Sequence, residues 1–106
     1  MVRLILAAIA ASMVQAPLTG AAAATIRIHI DNLSFVPPQV EAHVGDTIEW
    51  LNADFVPHTA TARDKRWDIA IPAKDSGRLV LKRAGVVDYY CRFHPNMTGR
   101  ISVSGK

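Results

Sequence analysis

Residues 86–97 read VVDYYCRFHPNM. The first six are β-branched or aromatic apart from Asp88 and the final cysteine, the composition of a half-buried strand. Side chains alternate along a strand, so Val87, Tyr89 and Cys91 share one face and are predicted to point inward, with Tyr90 on the other face. Cys91 is the only cysteine in the chain. His94 follows it by three positions and Met97 follows His94 by three. A tyrosine two residues before a cysteine is a feature of immunoglobulin sandwiches, whose cysteine crosses the core to a second one. Here no second cysteine exists, so a disulfide within the chain is excluded while the two-sheet architecture is not.

The rest of the chain supports that architecture. TIRIHI (25–30) alternates strictly, with Ile26, Ile28 and Ile30 on one face and Arg27 and His29 on the other. QVEAHV (39–44) repeats the pattern and ends at a Gly45-Asp46 turn. DTIEWLN (46–52) places Ile48 and Trp50 together, HTATAR (58–63) and RLVLK (78–82) are weaker strands, and GRISVS (99–104) closes the chain. Pro37-Pro38, Pro57, Pro72 and Gly85 punctuate the segments. DKRWDIAIP (64–72) has no clear period and is compatible with a short helical turn. The expectation is an all-β, antiparallel Greek-key sandwich of about seven to eight strands.

The first 24 residues read differently. Arg3 precedes an apolar run from Leu4 to Val14, and small residues follow among Ala21 to Ala24. This is the pattern of a cleaved secretory signal. Gln15, Pro17 and Thr19 interrupt the run short of the roughly 20 apolar residues that span a bilayer. Residues 1–24 are therefore predicted to be removed on export to the periplasm. Residues 25–106 would form one soluble domain, monomeric and not membrane-spanning. The 106-residue chain carries a formal charge of +3, which falls to about +2 without Arg3. That is too little to argue for nucleic acid or a membrane surface as a partner. Arg63, Lys65 and Arg66, and Lys82 and Arg83, form two basic clusters, read as a solvated face, with a docking patch for an acidic partner as the alternative.

An unpaired cysteine in an exported domain needs another role. A catalytic Cys–His pair lacks an orienting carboxylate and an oxyanion donor set, and covalent haem needs C-x-x-C-H. Zinc is poorly served by a thioether. Copper suits the donors, since two histidines and a cysteine in a plane with a long axial methionine form a blue-copper electron-transfer site. C-x-x-H-x-x-M supplies a thiolate, an imidazole and a thioether, so a second imidazole must come from elsewhere. His29 and His43 fall on outward strand positions, which leaves His58, 33 residues before Cys91. The expected metal ligands are thus His58, Cys91, His94 and Met97 around one copper ion, with no catalytic residues.

The segments FVPPQV (35–40), VGDTIEWLN (44–52), PH (57–58) and DYYCRFHPNMTGRI (88–101) together make the sequence resemble the small blue copper proteins, the cupredoxins, and among them the members with a short ligand loop. The resemblance covers nearly all of residues 25–106. It implies His58, Cys91 and His94 as equatorial ligands and Met97 as the axial one. It implies Asn52 as a tie between the two ligand loops, and His94 as an exposed edge within an apolar patch where redox donor and acceptor proteins dock. Val56, Pro57, Phe93 and Pro95 are candidates for that patch. The implied function is one-electron transfer rather than catalysis, with copper delivery or storage as the alternative. Phe93 stands where the short-loop members carry a proline, and Thr59 where they carry an asparagine.

Overall fold

The computed structural model describes residues 22–105, with residues 3, 11 and 12 besides. The predicted signal segment lies almost wholly outside the described residues. The described residues form nine strands: β1 (Thr25–Asp31), β2 (Ser34–Val36), β3 (Gln39–His43), β4 (Thr47–Asn52), β5 (His58–Ala62), β6 (Asp68–Ile71), β7 (Ser76–Val80), β8 (Gly85–Tyr90) and β9 (Thr98–Ser104). One sheet has the order β2-β1-β4-β7 and the other β3-β9-β8-β5-β6.

The sandwich and its inward faces match the expectation, with two corrections. The sheets are mixed rather than purely antiparallel, because β1 pairs parallel with β4 and β3 parallel with β9. The other pairings, β1–β2, β4–β7, β5–β6, β5–β8 and β8–β9, are antiparallel as expected. The count also exceeds seven to eight, through β2 and β6. The 64–72 segment holds a strand and no helical turn: Asp68–Ile71 pairs with Thr61–His58. Its weak alternation is that of an edge strand, exposed at Asp68 and Ala70 with only Ile71 buried.

Ile28, Ile30, Ile48, Trp50, Ile71, Tyr89 and Ile101 are all buried with no exposed surface. Each contributes on the order of 1.5–3 kcal/mol through the water it excludes. Cys91 and Met97 belong to the same packed cluster, so two of the four candidate metal residues rest directly on the core. Trp50, Trp67 and Tyr89 meet with ring centroids 5.7–5.8 Å apart, and the Trp50 indole N–H donates to the Tyr89 hydroxyl at 3.3 Å. Burial raises the Tyr89 hydroxyl well above the usual phenol range, so it stays neutral. On the outer face of the first sheet Glu49 lies between Arg27 (3.1 Å) and Arg78 (2.7 Å), its neighbours in register on either side.

Gly99 lies opposite Tyr89, and a Cβ there would stand 2.3 Å from the tyrosine ring. Gly99→Ala is therefore expected to destabilise the domain by about 1–3 kcal/mol, as overpacking does. A chemical denaturation midpoint equal to that of the parent protein would contradict the proposed crowding.

Candidate metal centre

His58 opens β5, and Cys91 directly follows the last residue of β8. The hydrophobic alternation that buries Val87 and Tyr89 delivers Cys91 to the same inward face, fully buried. The chain then folds back on itself. The His94 N–H donates to the Cys91 carbonyl (3.3 Å), the Met97 N–H to the His94 carbonyl (2.9 Å), and the Cys91 N–H to the Met97 carbonyl (3.0 Å). Two successive turns thus close a seven-residue loop whose ends hold each other. Pro95 follows His94 and fixes its own φ, stiffening the loop.

Closing this loop brings three of the four expected ligands together. Donor atoms of His58, Cys91 and His94 all lie within 4.8 Å of one another. The Cys91 sulfur is 3.7 Å from His58 Nδ1 and 3.9 Å from His94 Nδ1. Donors at this spacing could reach a single ion at bond lengths of about 2.0 Å to nitrogen and 2.3 Å to sulfur. The donor set and its spacing therefore fit a type 1 copper site. Met97 is buried, is joined to Cys91 through its backbone, and is the residue before β9. His29 and His43 are exposed on their strands and stand outside the cluster, as alternation predicts.

The supporting bonds differ from the expected ones. Asn52 was expected to tie the two ligand loops together. Instead its amide nitrogen donates to the carbonyls of Val56 (2.9 Å) and Pro72 (3.1 Å), while its oxygen accepts the Asp54 N–H (2.9 Å). It therefore anchors the 53–57 segment to the β6–β7 connection and makes no bond to the 91–97 loop. Thr59 makes that link. Its N–H donates to the Cys91 sulfur at 3.4 Å, and its hydroxyl accepts the Arg92 N–H at 2.9 Å. The chain of donors continues from Thr59 to the Thr61 hydroxyl (2.9 Å) and from Thr61 to Asp68 (2.6 Å). The Thr61 hydroxyl and the Arg92 guanidinium hold the Asp68 carboxyl below the usual range, so the chain ends on an anion that orients every hydroxyl in it. Threonine at position 59 is thus a substitution with a job.

Asp54 is the residue that sequence reasoning missed. Its carboxylate lies 2.8 Å from His58 Nε2 and also accepts the N–H groups of Asn32 (2.8 Å) and Leu33 (3.0 Å). Burial alone would raise this carboxyl, but those three donors outweigh it and hold it low. With Nε2 protonated toward Asp54, the Nδ1 lone pair of His58 is left free on the side of Cys91. A carboxylate behind an imidazole ligand is the usual way to fix tautomer and ring orientation. The only sequence signal was an acidic residue four positions before the histidine.

His94 is half-buried. Val56, Pro57, Phe93 and Pro95 are exposed, and so is Phe55 at 86%. The Lys74 ammonium lies 3.8 Å from the Phe55 ring centre and Arg92 lies 5.5 Å from that of Phe93.

The profile of the Cupredoxin-like domain family matches residues 3–103. Amicyanin of Paracoccus versutus is 26% identical over 82 residues, 72% of this chain and 62% of that protein. The chain thus spans a little under two thirds of the length of this curated relative. Among solved structures, the reduced state of an amicyanin mutant with phenylalanine in place of a proline has a TM-score of 0.66 at 27% identity, covering 76% of this chain and 82% of that one. A purple cupredoxin from Nitrosopumilus maritimus has a TM-score of 0.67 at 30% identity, covering 74% of this chain and 98% of that one.

Proposed function

From a chain that belongs to the cupredoxin-like domain family, we propose a one-electron carrier built on a single type 1 copper site. The observation that carries this reading is the placement of one cysteine sulfur 3.7 and 3.9 Å from two imidazole Nδ1 atoms. His58, Cys91, His94 and Met97 would hold the ion through two imidazoles, a thiolate and a thioether. Bound there, copper supplies a one-electron Cu(I)/Cu(II) couple.

The chain's own residues then govern the exchange. Asp54 holds the His58 ring, Thr59 donates to the thiolate, and the closed 91–97 loop resists rearrangement. A donor set that does not move between oxidation states keeps the barrier to transfer low. Donating a hydrogen bond to the thiolate draws electron density from it and so tunes the potential. His94 would pass the electron at the half-exposed end, where Phe55, Val56 and Phe93 offer an apolar contact to donor and acceptor proteins. Electron-transfer partners typically meet over small, quickly released interfaces, below about 1,200 Å². The N-terminal leader pattern supports export, which would make the periplasm the place of work.

The test is an optical spectrum of the copper-loaded protein with a redox titration. An intense visible thiolate-to-copper band that bleaches reversibly with one electron is expected, and a colourless copper complex would overturn the reading. Ready passage of the bound copper to a competing acceptor protein would favour delivery over electron transfer.

Asp54→Asn is expected to weaken copper affinity about 10- to 100-fold, because an amide cannot accept all three N–H groups that the carboxylate holds. Competition with a chelator of known affinity measures the change. An unaltered affinity would show that Asp54 only secures the β1–β2 turn.

A further inference from the structure

The geometry points to a second binding site, for a small amphiphilic anion, at the far end of the β5–β6 hairpin from the metal. His58 pairs with Ile71 at the metal end of that hairpin, whereas Trp67 sits at its turn. The two edge strands β6 and β7 belong to different sheets, so the seam between them is not closed by hydrogen bonds. Beyond Val80 the chain leaves β7 and crosses to the other sheet through Leu81–Ala84, with Gly85 at φ +134° starting β8. This crossing leaves a slot of about 420 Å³. Trp67, Leu79, Leu81, Val87 and Val103 wall it.

The volume lies within the roughly 300–1,000 Å³ of small-molecule sites, whose walls are mostly apolar with a few polar groups that fix orientation. Here those polar groups are cations. Exposed Arg66, Lys82 and Arg83 also line the slot. Asp64 pairs with Arg66 at 2.7 Å and its carboxyl is held low partly by the charge of Arg83, whereas among the described residues neither Lys82 nor Arg83 makes an ion pair within 4.0 Å. The whole chain is only +3, so this concentration of positive charge beside apolar walls is local. An apolar body would replace water against Trp67 and Leu79, both half-buried, and an acid group would reach the Lys82 and Arg83 heads. A hydrocarbon or aryl carboxylate, sulfonate or phosphate meets both requirements. The occupant is a free soluble anion, since a slot of this size accepts one molecule. The site stands whatever the metal centre carries.

The test is an NMR titration of the ¹⁵N-labelled, copper(I)-loaded protein with decanoate. Saturable shifts centred on the Trp67 indole N–H and the Leu81, Val87 and Val103 amides are expected, with a dissociation constant below about 1 mM. Decanol should bind at least tenfold more weakly, and acetate should leave these resonances in place. Lys82→Glu with Arg83→Glu, both at exposed positions, should weaken decanoate at least tenfold with the remaining spectrum unchanged. The proposal is overturned if decanoate leaves the slot resonances unmoved, if decanol binds as tightly, or if the double variant binds like the parent. Shifts seen only with phosphatidylglycerol vesicles would also overturn it, in favour of a membrane surface.

Discussion

Cys91→Ser is expected to yield a folded protein with no intense visible band and copper affinity reduced by orders of magnitude. The fold should survive because the replacement is nearly isosteric at a fully buried position, and the Thr59 N–H, 3.4 Å from the sulfur, keeps an acceptor. The optical and redox properties should not survive. A serine hydroxyl is protonated at neutral pH and is a hard donor, whereas copper in this environment needs the polarisable thiolate. Two imidazoles and a thioether would remain, too few strong donors for a tight site. The measurement is an optical titration with Cu(II), beside a far-ultraviolet spectrum to establish folding. Persistence of the band in the folded variant would remove Cys91 from the ligand set and with it the electron-carrier reading.

The second large effect belongs to the core. Trp50→Ala is expected to cost about 3–5 kcal/mol, the range for emptying a fully buried aromatic position. Small domains have total stabilities of about 5–15 kcal/mol, and one of this size sits low in that range. The variant should therefore be largely unfolded under mild denaturant. Trp50 is buried without exposed surface, meets Tyr89 at 5.7 Å and Trp67 at 5.8 Å, and donates to the Tyr89 hydroxyl. Tyr89 would lose both its packing partner and its buried hydrogen bond. Since Tyr89 lies two residues before Cys91 on the same face, loosening it should also broaden the copper band of whatever fraction remains folded. A loss below about 1 kcal/mol would show that the cluster repacks around the gap.

Much of the fold was legible because burial imposes a period of two. Ile28, Ile30, Ile48, Trp50, Val87 and Tyr89 all point inward as alternation requires, and Tyr90 lies on the opposite face beneath Arg63. Legibility failed where that period has little to bury. Ser34–Val36 is three residues long, and the edge strand Asp68–Ile71 buries only Ile71. Parallel pairing was invisible for another reason: alternation says which face a residue takes, not which strand lies beside it.

The candidate metal centre divides along a similar line. C-x-x-H-x-x-M is local, and a seven-residue loop closed by its own backbone bonds places these residues near one another by chain connectivity. His58 was reachable because the donor chemistry lacked one imidazole and the other two histidines alternate outward. Its partners were not reachable. That Asn52 binds the β6–β7 connection, that Thr59 clasps the ligand loop, and that Asp54 backs His58 all depend on contacts across strands. The slot beside Trp67 likewise arises from two sheets meeting at an unpaired seam, with walls drawn from β7, β8 and β9.

By itself, then, the amino-acid order determined the inward faces, the absence of an internal disulfide and the donor chemistry of Cys91, His94 and Met97, because each follows from composition or from spacing along one segment. Tertiary structure alone decided the 3.7 Å approach of His58 to Cys91, the carboxylate behind that imidazole, the amide on the sulfur and the cation-lined slot. Those depend on which strands become neighbours, and that is settled by packing of the whole sandwich rather than by any one stretch of chain.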